Sequence, residues 1–261
     1  MSGNYAHYRM GIALLSAFPA DTRRTIQRFR RLFDAGLHGP DIFLYHSLLI
    51  PTSVSALGVK YHSQTGREFF MRGCRVARLE KSEAAQAYVY GVLCHYALDS
   101  LMHPFIQEKA KKSGAVPTEI ETEFDRFLLE KDGKIPPESQ DMSRHLRLTP
   151  GECDTVAKFY PPVTSRQVQN CLRSMSMHLK VLATPEGTRR KALQTGIKAF
   201  GPHIAGQLMT IGPNEKCAHL NPELLELYEK AVADFPELLS QIQAHMTYNA
   251  VLGEEFTKIF G

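Results

Sequence analysis

Residues 84–98 constrain this chain more than any other stretch. They are rich in Ala, Val, Leu and Tyr, hardly interrupted by charge, and lie inside a helical pattern running over about 82–102. A helix that is apolar all round has no solvent face, so other elements must surround it. The run falls short of the ~18 apolar residues that a membrane-spanning helix needs. It therefore predicts the central helix of a bundle and no transmembrane segment.

Elsewhere apolar residues recur at helical spacing and strand-like alternation is scarce. Residues 5–17 read as a helix. Residues 22–35 read as a second, with Ile26, Phe29, Leu32 and Phe33 inward and Gly36 as its stop. Residues 37–62 look irregular, with Gly39, Pro40 and Pro51 as breakers, and 66–80 are helical again. Thr118 and Glu121 have the spacing of a capping box that opens a helix through about Glu130. Thr149 with Glu152 starts a short helix, and Thr164 caps a longer one packed through Val168, Leu172, Met175 and Leu179. Residues 187–200 are helical, and Asn221-Pro222 starts a final pair broken near Pro236. The expectation is all-α: eight to ten helices, no sheet, and residues 1–261 as one domain.

Composition removes several function classes. Hydrophobic residues at 43% and charged residues at 22% exclude a disordered chain or a coiled coil. A net charge of +4 is too weak to argue for nucleic acid. Arg23, Arg24, Arg28, Arg30 and Arg31 share one helical face, which reads as a solvated face, with an anionic surface partner as the alternative. The five cysteines are odd in number, widely spaced and without a CxxC, which points to reduced thiols in a cytoplasmic protein. Arg9 followed by the apolar residues 10–18 faintly resembles a signal peptide. Gly11 and Ser16 interrupt it, and cleavage there would remove His7.

The chemistry concentrates on the central helix. His95, Asp99 and His103 follow one another at intervals of four, each turned by only about 40° from the last. A buried Asp costs several kcal/mol unless paired or bound to a metal. A zinc site uses this residue set, and a His–Asp hydrogen bond in the core uses it equally well. Pro104 disfavours helical geometry at His103, which places His103 at the helix end, aimed at a different centre. His7, Asp41 and His62 are further candidates upstream.

In the order His7, Gly39-Pro40-Asp41, His62, His95-x-x-x-Asp99-x-x-x-His103-Pro104, the sequence resembles the bacterial zinc-dependent phospholipase C family, most closely its cytosolic branch. The resemblance extends to residues 118–125 and 224–231, while 132–215 add little. It implies an all-helical fold with one to three zinc ions and hydrolysis of phosphodiesters, lipids of the phosphatidylcholine type above all. A related branch contains single-strand-specific zinc nucleases. By the same resemblance, Asp41, His62, His95 and Asp99 would hold one zinc. Asp99 would bridge to a second, also held by His7, and His103 with Glu121 would belong to a third. Asp41 and Asp99 would be the catalytic carboxylates. Zinc suits the reaction because it acidifies water towards a pKa of ~7 and neutralises charge during in-line displacement.

Two departures stand against a full metal set. The family's secreted enzymes begin with a Trp that completes one zinc site, whereas this chain has no Trp; water or a terminus at Ser2 would have to substitute. The family also places a His four residues before the Glu that matches Glu121, and here that residue is Pro117. Glu121 then has a second reading, as the reciprocal half of a Thr118 capping box. Two functions remain open. One is a metal-dependent hydrolase acting on a small-molecule or lipid phosphodiester. The other is a non-catalytic descendant serving as a metal-binding or anionic-surface-binding module. A nuclease ranks below both, because no aromatic stripe is interleaved with the basic residues.

Overall fold

The apolar run forms the middle of a 31-residue helix, Glu83–Ser113, buried almost continuously from Ala85 to Asp99. This computed structural model describes residues 3–47 and 50–261. Among them are twelve α-helices: α1 (Asn4–Ala13), α2 (Ala20–Arg28), α3 (Arg30–Gly36), α4 (Ser53–His62), α5 (Gly66–Leu79), α6 (Glu83–Ser113), α7 (Pro117–Lys131), α8 (Pro150–Ala157), α9 (Ser165–Leu182), α10 (Thr188–Ile197), α11 (Pro202–Ala205) and α12 (Asn221–Tyr248). No strand occurs among the described residues; a single bridge joins Thr65 and Ile259. The fold is all-α. No described helix is long and apolar enough to cross a membrane, and all five cysteines are buried and free.

Helices α1, α3, α5 and α12 pack around α6. The contact with α3 is the closest. A Cβ on Gly91 would lie 2.2 Å from the Phe33 carbonyl, and one on Gly36 would lie 2.5 Å from that of Tyr88. Only glycine at both positions lets the two backbones touch. That approach delivers the segment after Gly36, and with it Asp41, to the side of His95. The 3-10 segment Gly39–Tyr45 carries Asp41 and begins at Gly39, whose φ of +41 is left-handed and whose missing side chain leaves room for the His95 ring. Phe256 and Phe260 of the C-terminal segment pack against Phe70 and Tyr96, closing the gap between α5 and α6.

Several expectations are corrected. Residues 22–35 are two helices, because Phe29 leaves helical geometry (φ −114, ψ 39). Residues 53–62 are not irregular but form α4, capped by Thr52 with Ser55 in the reciprocal position. Ser is a weaker signal there than the Glu or Gln of the usual motif, and Pro51 precedes the cap rather than breaking a helix. Pro104 does not end α6, and Pro236 does not divide α12. Both prolines are exposed, so the carbonyls they strip of a partner lie on the wet side of the helix and can be hydrated. Thr118 is not a cap. Val116 is the N-cap of α7, its N–H donates to Glu119, and the Thr118 hydroxyl donates to the His203 carbonyl. Glu121 is thereby free of capping duty.

Candidate metal centre

Because α6 continues through Pro104, His95, Asp99 and His103 form one unbroken stripe along the helix. Asp99 is wholly buried, and three imidazoles converge on it. His95 Nε2 lies 3.0 Å and His103 Nε2 3.5 Å from Oδ2, and His7 Nε2 lies 3.1 Å from Oδ1. His62 Nε2 lies 2.8 Å from Asp41 Oδ1. The ligand atoms of His7, His95 and Asp99 all lie within 4.8 Å of one another, as do those of Asp41, His62 and His95. The rings of His7 and His95 stack with centroids 4.3 Å apart. All seven candidate residues, Glu121 included, are buried. Glu121 and His103 lie outside the two tight groups and flank them. The terminus at Ser2 lies outside the described residues.

The tautomers carry the chemical argument. His62 Nδ1 donates to the Gly58 carbonyl at 2.7 Å, and His95 Nδ1 donates to the Leu37 carbonyl at 3.2 Å. A carbonyl only accepts, so in both rings Nδ1 carries a proton, and in the neutral ring Nε2 presents a lone pair. That lone pair faces a carboxylate oxygen, which also only accepts. Asp41 Oδ1, both Asp99 oxygens and the Nε2 atoms of His62, His95 and His103 find no hydrogen-bond partner among the described residues. Either a second ring proton or a bound cation satisfies such a contact, and the grouping of ligand atoms fits a metal ion. A carbonyl-anchored imidazole with a free Nε2, set beside a carboxylate, is how proteins hold a first-row metal. The buried His and Asp groups fit a divalent ion.

The titration behaviour follows from burial and from the contacts within the cluster. Burial opposes ionisation of Asp99, but His95, His103 and His7 hold its carboxyl well below the ordinary value. Asp41 is likewise lowered, burial being outweighed by His62. Burial disfavours the His95 and His103 imidazolium ions, yet in the metal-free protein Asp99 raises both above the ordinary histidine value. At His7 burial prevails and lowers it. Burial pushes Glu121 up to about 7 and Asp125 up to about 7.

Four of the remaining histidines pair with side chains elsewhere. His38 Nε2 lies 2.6 Å from His145 Nε2, His46 pairs with Thr52, and His178 pairs with Gln207. The arginine face is largely neutralised: Arg24 pairs with Asp21, Arg28 with Glu83, Arg30 with Asp34 and Arg31 with Glu152. Sequence reasoning missed the anchoring carbonyls of Leu37 and Gly58, which carry no residue-type signal. It quoted residue 125 without assigning it a role. No family model, curated protein or solved structure matches the chain.

Proposed function

We propose that the protein is a zinc-dependent phosphodiester hydrolase of the phospholipase C type, acting on a small-molecule or lipid phosphodiester. One observation carries the reading: Asp99, fully buried, has three imidazoles within 3.5 Å of its carboxylate, and one of them, His95, belongs to both ligand groups. Asp99 would bridge the two ions, as the resemblance implies. A bridging carboxylate is the device by which a protein holds two ions close enough to act on one phosphoryl group. The mixed imidazole and carboxylate donors suit zinc. Bound ions would supply Lewis acidity and a water acidic enough to be deprotonated near neutral pH. The chain's own residues orient the donors: Leu37 and Gly58 fix the rings of His95 and His62, and the apolar walls of α6 exclude bulk water.

A second reading has its own observation. The cavity adjoining Glu121, walled by Tyr45, Asp125 and Glu138 among others, measures about 40 Å³. Of the candidate ligands it is lined by Glu121 alone. It favours a metal-binding module without turnover. Elemental analysis of chelator-free protein, followed by hydrolysis of bis-p-nitrophenyl phosphate with and without EDTA, separates the two. Bound zinc with EDTA-sensitive hydrolysis supports the hydrolase. Bound zinc without hydrolysis supports the module. Less than about half an equivalent of metal after zinc is offered would overturn both.

A further inference from the structure

Helix α1 brings His7 to Asp99, yet its own N-terminus has no local cap. Gly3 stands at the N-cap position and offers no side-chain oxygen. The first-turn N–H groups donate across the molecule instead. Tyr5 N donates to Asp125 Oδ2 at 2.9 Å and Ala6 N donates to Asp125 Oδ1 at 2.8 Å. A Cβ on Gly3 would lie 2.2 Å from Oδ1, so the glycine admits the carboxylate. Two turns further along α7, Asp132 receives the Tyr5 hydroxyl at 2.7 Å and the Arg9 guanidinium at 2.7 and 3.1 Å. His7 sits between these two grips. Glu121, Asp125 and Asp132 fall within about 40° of one another around the helix axis, so one stripe of α7 carries a candidate ligand and both grips.

We propose that Asp125 is the positioning residue of the metal centre: by receiving the first-turn N–H groups of α1, it sets His7 against Asp99 and so decides whether the His7–His95–Asp99 group holds an ion. The inference rests on the proposed metal centre. Asp125 acts through the backbone N–H groups of α1. The Asp41–His62–His95 group has its own anchors at Gly58 and Leu37, so it stands without Asp125. A residue that merely stabilised the fold would weaken both groups together.

Cobalt(II) titration followed by visible absorption counts the ions and needs no substrate. The reference is His7→Ala, which loses the ion that depends on His7. Asp125→Ala is expected to weaken that same ion by roughly 10–100-fold, the usual cost of losing a supporting group behind a ligand. The ion at Asp41–His62–His95 should bind as in the wild type. Asp125→Asn keeps one acceptor oxygen and should recover part of the loss. Should Asp125→Ala fail to fold, Gly3→Ala tests the same contact with every charge in place, and it should show the same selective loss. If Asp125→Ala and Gly3→Ala both keep the ion that His7→Ala loses, or lose both ions equally, the positioning role is overturned while the metal centre survives. If the wild type takes up no cobalt, the metal centre itself is overturned.

Discussion

The two ligand groups are built in different ways. In the Asp41–His62–His95 group, both imidazoles are fixed by main-chain carbonyls. Gly58 is one turn before His62 on α4, and Leu37 sits where the Gly36–Gly91 contact pins α3 to α6. In the His7–His95–Asp99 group, His7 depends on α1, a ten-residue helix held at its start by a carboxylate 120 residues away. The first group is anchored by backbone that must form for the core to exist. The second is anchored by a grip that can fail while the core stays intact. The difference teaches that one buried cluster can contain a robust half and a conditional half, joined at His95.

The largest expected effect comes from removing the carboxylate that His7, His95 and His103 all face. In the proposed arrangement Asp99 serves both ions, so with Asp99→Asn metal content should fall to near zero by elemental analysis, with any hydrolysis lost alongside. Glu121→Gln should leave the first group filled. Equal loss in the two variants would contradict the division. Next in size is the loss of a single half. His62→Ala should release the ion of the first group and His7→Ala that of the second, because each leaves only two of three protein ligands. Counting equivalents by competitive chelation checks this; one common loss in both variants would mean a single shared ion.

How far the sequence exposed this centre follows the same division. The stripe of His95, Asp99 and His103 was legible because helical periodicity alone aligns it. The end of α6 was misplaced because a proline's tolerance depends on which face it occupies, and only the packing of α6 decides that. Helix α4 was hidden by a Thr52–Ser55 cap that lacks the acidic partner. Nothing local links residue 125 to residue 5, so the grip on α1 could not be read from spacing. Glu121 was ambiguous for a related reason: Thr118 carries the form of a cap, but Val116 and Glu119 supply it, and the order of those choices is set by tertiary packing.

A smaller effect acts by pH on Glu121, beside the two halves. Burial holds Glu121 near 7, above its ordinary 4.5. In metal-free protein below pH 4.5, the group is protonated whether the chain is folded or not. As pH rises towards 7, the unfolded chain ionises first, so the stability this group contributes is progressively lost and is gone above its folded value. Relative to Glu121→Gln, the chelated wild type should lose on the order of 3 kcal/mol between pH 4.5 and 8. Urea denaturation in EDTA at both pH values measures it, and a gap that does not change with pH would contradict burial of the carboxyl. Added zinc should narrow the gap at high pH, because ligands bind metal in their ionised form.

The smallest expected effect would strengthen the pair that flanks the two halves, His103 and Glu121. Pro117 opens α7 one turn before Glu121, so position 117 and Glu121 share a face of the helix. The cap lies at Val116, and the helix therefore does not need to extend through Thr118 to present a ligand there. Pro117→His puts an imidazole on the stripe that already carries Glu121, near the charge that acts on His103. Proline is well suited to the first helical turn, so its loss costs little helix stability. Two protein ligands leave a tetrahedral ion half open, and a third tightens it, so zinc stoichiometry should rise by roughly one. Matched zinc titrations of the two proteins decide the point. If the wild type already carries as many ions as the variant, a further ligand completes the site at His103 and Glu121, and Pro117 is not what leaves it open.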